Sequence, residues 1–255
     1  MSVLVEHLVY THRGGVKALD NVSIAFRAGR VTAVIGPNGS GKTTLLRIVS
    51  GVLVPDSGTV SIDGVKLSTL SASARARRIG YLPQTAEGVW NVTARELVAL
   101  GRLPHRSRFA GPDARDTAAI AAALVATDTE ALADRPLDAM SGGERARVLL
   151  ARVIAGEPEW LLADEPLANL DPRHQQRMLT LMAQTAAAGC GVVTVLHDLN
   201  AAAAADDIVM LRNGRIVAAG PTVEAFTAEA LAETFDMSFT LLQGPHGRTV
   251  ITRAA

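Results

Sequence analysis

Residues Val31–Ser50 read VTAVIGPNGSGKTTLLRIVS. The β-branched apolar start (Val31, Ala33, Val34, Ile35) predicts a buried strand. The chain then turns through Gly36-Pro37-Asn38-Gly39-Ser40-Gly41 and enters a helix at Lys42-Thr43-Thr44, which is the pattern G-x-x-x-x-G-K-[ST]. Glycines at this spacing let successive backbone N–H groups close around a phosphate, and the helix after them adds unpaired amides and the positive end of its dipole. Lys42 is of a length to reach β- and γ-phosphates, and the Thr43 hydroxyl is a candidate Mg²⁺ ligand. The stretch therefore predicts a nucleoside-triphosphate site built from Asn38, Gly39, Ser40, Gly41, Lys42, Thr43 and Thr44.

The chain has 255 residues, with 25 basic and 25 acidic side chains in balance. It is long enough for one sizeable α/β domain, and no global field would gather nucleic acid. Cys190 is the only cysteine, which excludes an internal disulfide and fits a reducing compartment. Met1 to Tyr10 carries Glu6 and His7 where a secretory leader needs an apolar core. Met178 to Leu196 is free of formal charge over a membrane-spanning length. Its centre is alanine and glycine, however, so it predicts a helix end, a glycine turn and a buried strand.

Working outward, residues 2–10 and 22–27 predict two strands of an antiparallel layer, and after the turn Pro55-Asp56-Ser57-Gly58 Thr59 to Ile62 predicts a further strand. Ser71 to Arg78 predicts a short basic helix and Ile79 to Leu82 a strand. Helix formers dominate from Thr93 to Gly156, with segments at 96–100, 113–127, 129–133 and 145–155. Strands resume at Trp160 to Ala163 and Val192 to Leu196, separated by a helix over 172–188 with Pro172 in its first turn. Such alternation implies an α/β fold with a mostly parallel sheet covered on both faces. Two short strands joined at Arg212-Asn213-Gly214, helical residues 222–235 and a strand pair near 239–252 complete the expected order.

Leu161-Leu162-Ala163-Asp164-Glu165-Pro166 puts two carboxylates at the carboxyl end of a buried strand, the edge where doubly wound sheets bind ligands. Alone, that pair is an ordinary loop start. Behind a phosphate loop, Asp164 becomes a candidate for holding Mg²⁺ and Glu165 the candidate base toward an attacking water. Met140-Ser141-Gly142-Gly143-Glu144 is a capping box, yet two glycines in a first helical turn suit a backbone that something approaches closely. Ser141, Gly142 and Gly143 thus form a second phosphate-sized cradle.

In order, GPNGSGKTT, Gln84 in Tyr81-Leu82-Pro83-Gln84, Ser141-Gly142-Gly143-Glu144, LLADEP, Asn169-Leu170-Asp171 and His197 in LHD resemble the ATP-binding subunit of an ABC transporter across essentially the whole chain. The resemblance implies one P-loop ABC ATPase domain over 1–255. Residues 1–84 and 157–255 would supply the core with an antiparallel β subdomain, and 85–156 an α-helical subdomain. It implies ATP and Mg²⁺, and a head-to-tail homodimer in which the phosphate loop of one copy and the serine-glycine segment of the other sandwich each nucleotide. Gln84 is then assigned to Mg²⁺ and the γ-phosphate side, Asp171 to the subunit interface and His197 to the γ-phosphate. Glu144 stands where many members carry glutamine. Two residues compete to stack on adenine: Tyr10, the only upstream aromatic, and His12, which the family pattern puts at that position.

Related ATPase domains in translation, repair and chromosome proteins come in pairs or carry a long coiled coil, and neither is present here. A phosphoryl-transferring kinase would not need the serine-glycine cradle. The organisation implies an importer subunit at the cytoplasmic face of the membrane, with separate transmembrane permease subunits and, indirectly, a periplasmic or extracellular solute-binding protein. Leu97 to His105 with His197-Asp198-Leu199-Asn200 resembles the subgroup importing iron-siderophore complexes, haem and cobalamin. Residues 85–103 are the expected permease contact, with Trp90 a candidate within it.

Overall fold

The structure, a computed structural model, describes residues 1–84, 92–107, 111–244 and 247–252. Its strands are β1 (Ser2–Thr11), β2 (Lys17–Arg27), β3 (Val31–Ile35), β4 (Ser57–Ile62), β5 (Val65–Lys66), β6 (Ile79–Leu82), β7 (Trp160–Ala163), β8 (Gly191–Val195), β9 (Asp207–Arg212), β10 (Arg215–Pro221), β11 (Phe239–Gly244) and β12 (Gly247–Thr252). The helices are α1 (Lys42–Val49), α2 (Ala72–Arg78), α3 (Ala94–Ala99), α4 (Ala114–Ala126), α5 (Gly142–Ala155), α6 (Pro172–Ala187), α7 (Leu199–Ala203), α8 (Thr222–Ala225) and α9 (Ala228–Phe235).

Strands β3, β7 and β8 are apolar along nearly their whole length and buried on both faces, the condition under which parallel strands are stable. They form the centre of a sheet ordered β10-β9-β3-β8-β7-β6 among the described residues, parallel except for the edge strand β10. Alternation in β1 instead gives one buried and one wet face, and it pairs antiparallel with β2 and β4. Val5, Leu8, Phe26 and Ile62 of this layer pack against Leu45 and Leu46 of α1 and Val34 of β3, so the phosphate-loop helix is clamped between two sheets.

Register decides where the site lies. Leu82 pairs with Ala163, Ala163 with Thr194, and Val34 with Val195. Four parallel strands therefore end level. The residues just beyond their ends, 36–41, Gln84, Asp164-Glu165 and His197, share one sheet edge.

The tail differs from expectation at one point. Helical residues 222–235 are split, because Phe226 is fully buried against Ile208, Met210 and Leu231 while Thr227 starts a new helix by accepting a hydrogen bond from the Ala230 N–H. The β9–β10 hairpin turns through Asn213 and Gly214, both left-handed (φ 49° and 75°), the geometry that matches strand twist. In the uncharged stretch 178–196, α6 ends at Ala187, Gly189 turns at φ 101°, and β8 comes next. Among the described residues no helix is long and apolar enough to cross a membrane.

The helical segment between β6 and β7 packs its own core, with Leu97 and Val98 of α3, Ile120 and Leu124 of α4, and Val148 and Ala151 of α5. Trp90 and the rest of 85–91, part of the expected permease contact, lie outside the described residues. The run Gly101 to His105 is turned inward. A Cβ on Gly101 would sit 2.0 Å from the Arg152 carbonyl oxygen. Arg102 is 1 % exposed and donates to Asp116 (2.8 Å), the Ala155 carbonyl (2.8 Å) and Glu157 (2.8 Å). His105 Nε2 lies 2.8 Å from the Gly156 carbonyl oxygen, and the Ser73 hydroxyl of α2 donates to the Pro104 carbonyl (2.9 Å). Without Arg102, Asp116 keeps Arg106 (2.8 Å) but the Ala155 carbonyl loses its side-chain donor, so Arg102→Met is expected to lower unfolding free energy by about 1–3 kcal/mol, read by urea denaturation.

Candidate functional site

The loop between β3 and α1 is held open by its own backbone. Gly41 (φ 103°) is fixed from behind, since a Cβ there would meet the Ala18 carbonyl oxygen at 2.3 Å. Gly39 (φ 78°) has open space around it and lines a cleft of about 550 Å³. The same cleft is lined by His12, Asn38, Ser40, Gly41, Lys42, Thr43, Thr44, Gln84, Glu165 and His197.

Two features of the loop call for an anion. Lys42 is 5 % exposed, and its ammonium donates to the carbonyls of Gly36 (2.8 Å) and Pro37 (3.0 Å), with no carboxylate of the described residues at bonding distance. Burial pushes its pKa down, against the opposing pull of Glu165 and Asp164. The Ser40 hydroxyl is buried without a hydrogen-bond partner among the described residues. A buried cation beside an unsatisfied hydroxyl and a concave run of glycines fits a phosphate group.

Asp164 and Glu165 are adjacent but live in different surroundings. Asp164 continues β7 and is fully buried, its Oδ1 accepting from the Thr43 hydroxyl (3.0 Å) and its Oδ2 from the Tyr81 hydroxyl (3.1 Å). Burial drives its pKa up, only partly offset by those two donors. Glu165 leaves the strand in a left-handed conformation (φ 51°), which turns its carboxylate into the cleft. There Oε2 accepts from Gln84 Nε2 (2.5 Å), and Oε1 lies 2.6 Å from His197 Nε2. Such a backbone costs of order 1–3 kcal/mol and clusters at functional sites.

Thr43, Asp164 and Gln84 offer hard oxygen donors with a single carboxylate among them. That suits Mg²⁺, which keeps waters and phosphate oxygens in its shell, and among the described residues there is no cluster of three His, Cys, Asp or Glu that would suit a softer ion. Asp164→Asn is expected to raise the unfolding midpoint of the ligand-free chain by relieving a buried charge. It should at the same time abolish the extra thermal protection that Mg²⁺ adds to ATP; calorimetry with and without Mg²⁺ reads both.

Of the two residues competing for adenine, His12 lines the cleft, whereas Tyr10 is half-buried against the core of the antiparallel layer. Their rings meet edge-on with centroids 5.3 Å apart. Ser141, Gly142 and Gly143 are not brought to this cleft. Ser141 caps α5, its hydroxyl accepting from the Glu144 N–H (3.3 Å) while Glu144 accepts from the Ser141 N–H (2.8 Å). The helix therefore starts at Gly142, as the capping box predicts, three residues before the helical segment 145–155. Asp171 caps α6 by accepting from the His174 N–H (3.0 Å), and that bond holds its carboxyl below the usual range. Sequence reasoning overlooked two residues, Tyr81 on Asp164 and His174 beside Gly143; each is recognisable only once strands and helices are placed side by side.

The model of the ABC transporter family matches residues 19–168. The hemin import ATP-binding protein HmuV of Streptomyces coelicolor is 45% identical over 241 residues, 93% of this chain and 84% of the relative. The ferric enterobactin transport ATP-binding protein FepC of Escherichia coli is 39% identical over 228 residues, 89% and 84% of the two chains. Among solved structures, an inward-facing putative metal-chelate type ABC transporter superposes with TM-score 0.86 at 26% identity, over 99% of this chain and 98% of that one. The dimeric cassette MJ0796 bound to ADP and Pi gives 0.76 at 28% identity, over 86% and 98%. With its phosphate loop, paired carboxylates and capped serine-glycine helix on one framework, the chain belongs to the ABC transporter family.

Proposed function

We propose that the chain is the ATP-hydrolysing subunit of an importer for an iron-siderophore complex, haem or cobalamin, working as a homodimer beneath separate permease subunits at the inner face of the membrane. One observation carries the catalytic part. Lys42, Thr43, Gln84, Glu165 and His197 line a single cleft, with Asp164 buried directly behind it, while Ser141 and Gly142 lie exposed and apart. A cleft with one wall and a spare wall elsewhere supports a nucleotide pocket completed by a second copy. The similarity to hemin and ferric enterobactin import proteins supports the cargo class.

In this reading Lys42 exchanges its loop carbonyls for β- and γ-phosphate oxygens. Mg²⁺, when bound, draws off charge from the phosphates; Thr43, Asp164 and Gln84 are the residues that would hold it. Glu165 accepts the proton of the attacking water, oriented by Gln84, and His197 bonds the γ-phosphate side. His12 stacks on adenine. Accordingly, His12→Ala is expected to weaken ATP binding by about 1–3 kcal/mol, while Tyr10→Phe leaves it unchanged in a fluorescent-nucleotide titration.

The reading is tested by isolating the chain from membranes with its permease and measuring solute uptake into vesicles loaded with ATP. Uptake of an iron chelate, haem or cobalamin that stops when ATP is omitted supports it. Recovery of the chain from cytosol with ribosomes or DNA, and no permease, overturns it in favour of a non-transport ATPase switch.

A further inference from the structure

The two segments that the proposed pocket would present to a partner copy are bridged by the side chain of His174. His174, in the first turn of α6, bonds the Asp171 carboxylate through Nδ1 (2.7 Å) as well as through its backbone N–H (3.0 Å). Its ring lies against Gly143: a Cβ there would come within 2.5 Å of Cδ2, 2.7 Å of Cγ and 2.9 Å of Nε2. Gly142, one residue earlier, has nothing within 4 Å of the equivalent position. The glycine pair is thus asymmetric. Gly142 leaves space toward solvent, whereas the space beside Gly143, where a side chain would go, is filled from inside the same chain.

Gly143 lies in a right-handed helix, where alanine is accommodated by the backbone and preferred by propensity. What alanine would meet there is the imidazole. The ring is at the end of a side chain 29 % exposed, so it can swing outward, but only by giving up its bond to Asp171. We propose that His174 is a positioning residue, a strut from Asp171 to Gly143 that sets the spacing between the serine-glycine helix and the Asn169–Asp171 loop. On the split-pocket reading, on which this rests, both segments face the partner, and the strut makes them one docking surface.

The test is a cycle of full-length variants: Gly143→Ala, His174→Ala, the pair together, and His174→Asn, which keeps a donor for Asp171. Turnover, KM for ATP, dependence on chain concentration and unfolding midpoint are measured for each. Gly143→Ala is expected to lower kcat by up to about 100-fold, the scale of an ångström-level misplacement, with KM little changed. Adding His174→Ala should bring kcat back to that of His174→Ala alone and raise the midpoint above that of His174→Ala. His174→Asn should recover part of what His174→Ala loses, with a weaker demand for high chain concentration. A double variant no faster than Gly143→Ala overturns the strut, as does His174→Ala with wild-type kcat at low chain concentration. A wild type whose specific activity is independent of concentration instead brings down the split pocket beneath it, a result separable from the others because it needs no variant.

Discussion

Glu165→Gln is expected to bind ATP as the wild type does, to hydrolyse it about 10²–10⁴-fold more slowly, the scale of general-base catalysis, and to accumulate as a closed dimer. Glutamine keeps an acceptor oxygen for the Gln84 or His197 contact, so the cleft retains its shape. What is lost is the charge that takes the proton from water. Gel filtration with ATP, beside a phosphate-release assay, separates the two effects. Normal steady-state turnover would falsify the assignment of Glu165 as the base.

The second large effect concerns Ser141→Arg. A guanidinium on an exposed N-cap has room in the monomer, so nucleotide binding by a lone chain should be nearly unchanged. In the assembled pocket it occupies the wall offered to the other copy's phosphates, and loss of a preorganised donor set there costs about 10²–10³ in turnover. Mixing Ser141→Arg with Lys42→Ala chains gives a sharper reading. Each mixed dimer gathers both faults at one pocket and leaves the other intact, so activity should exceed that of either variant alone. If the mixture is no more active than its parts, the pocket is not shared in the way proposed.

Much of this was legible in the sequence, and for identifiable reasons. Glycine and proline mark the turns, so the phosphate loop, the Asn213-Gly214 hairpin and the boundaries of β7 follow from local chemistry, with β8 placed one residue late. Asp164 and Glu165 are legible as a pair because they end a wholly apolar strand. Their different surroundings are not, since these depend on the left-handed backbone at Glu165 and on who faces each oxygen. Tyr81 sits three residues before Gln84, yet only the parallel register of β6 on β7 delivers its hydroxyl to Asp164. The choice between Tyr10 and His12 likewise turns on a core contact, with Tyr10 packed inward and His12 past the end of β1. Local pattern also carries the supposed 222–235 helix through Phe226, because burial of that ring is a tertiary demand.

The inward turn of Gly101, Arg102 and His105 changes what that run of letters signifies. Residues whose pattern resembles chelate importers are here bolts fastening the stretch after α3 to the end of α5 within the helical segment, with Leu103 alone among the large apolar residues of that run left outside (57 % exposed). On the importer reading proposed above, such a run reports how the helical segment is braced internally and says nothing of the solute.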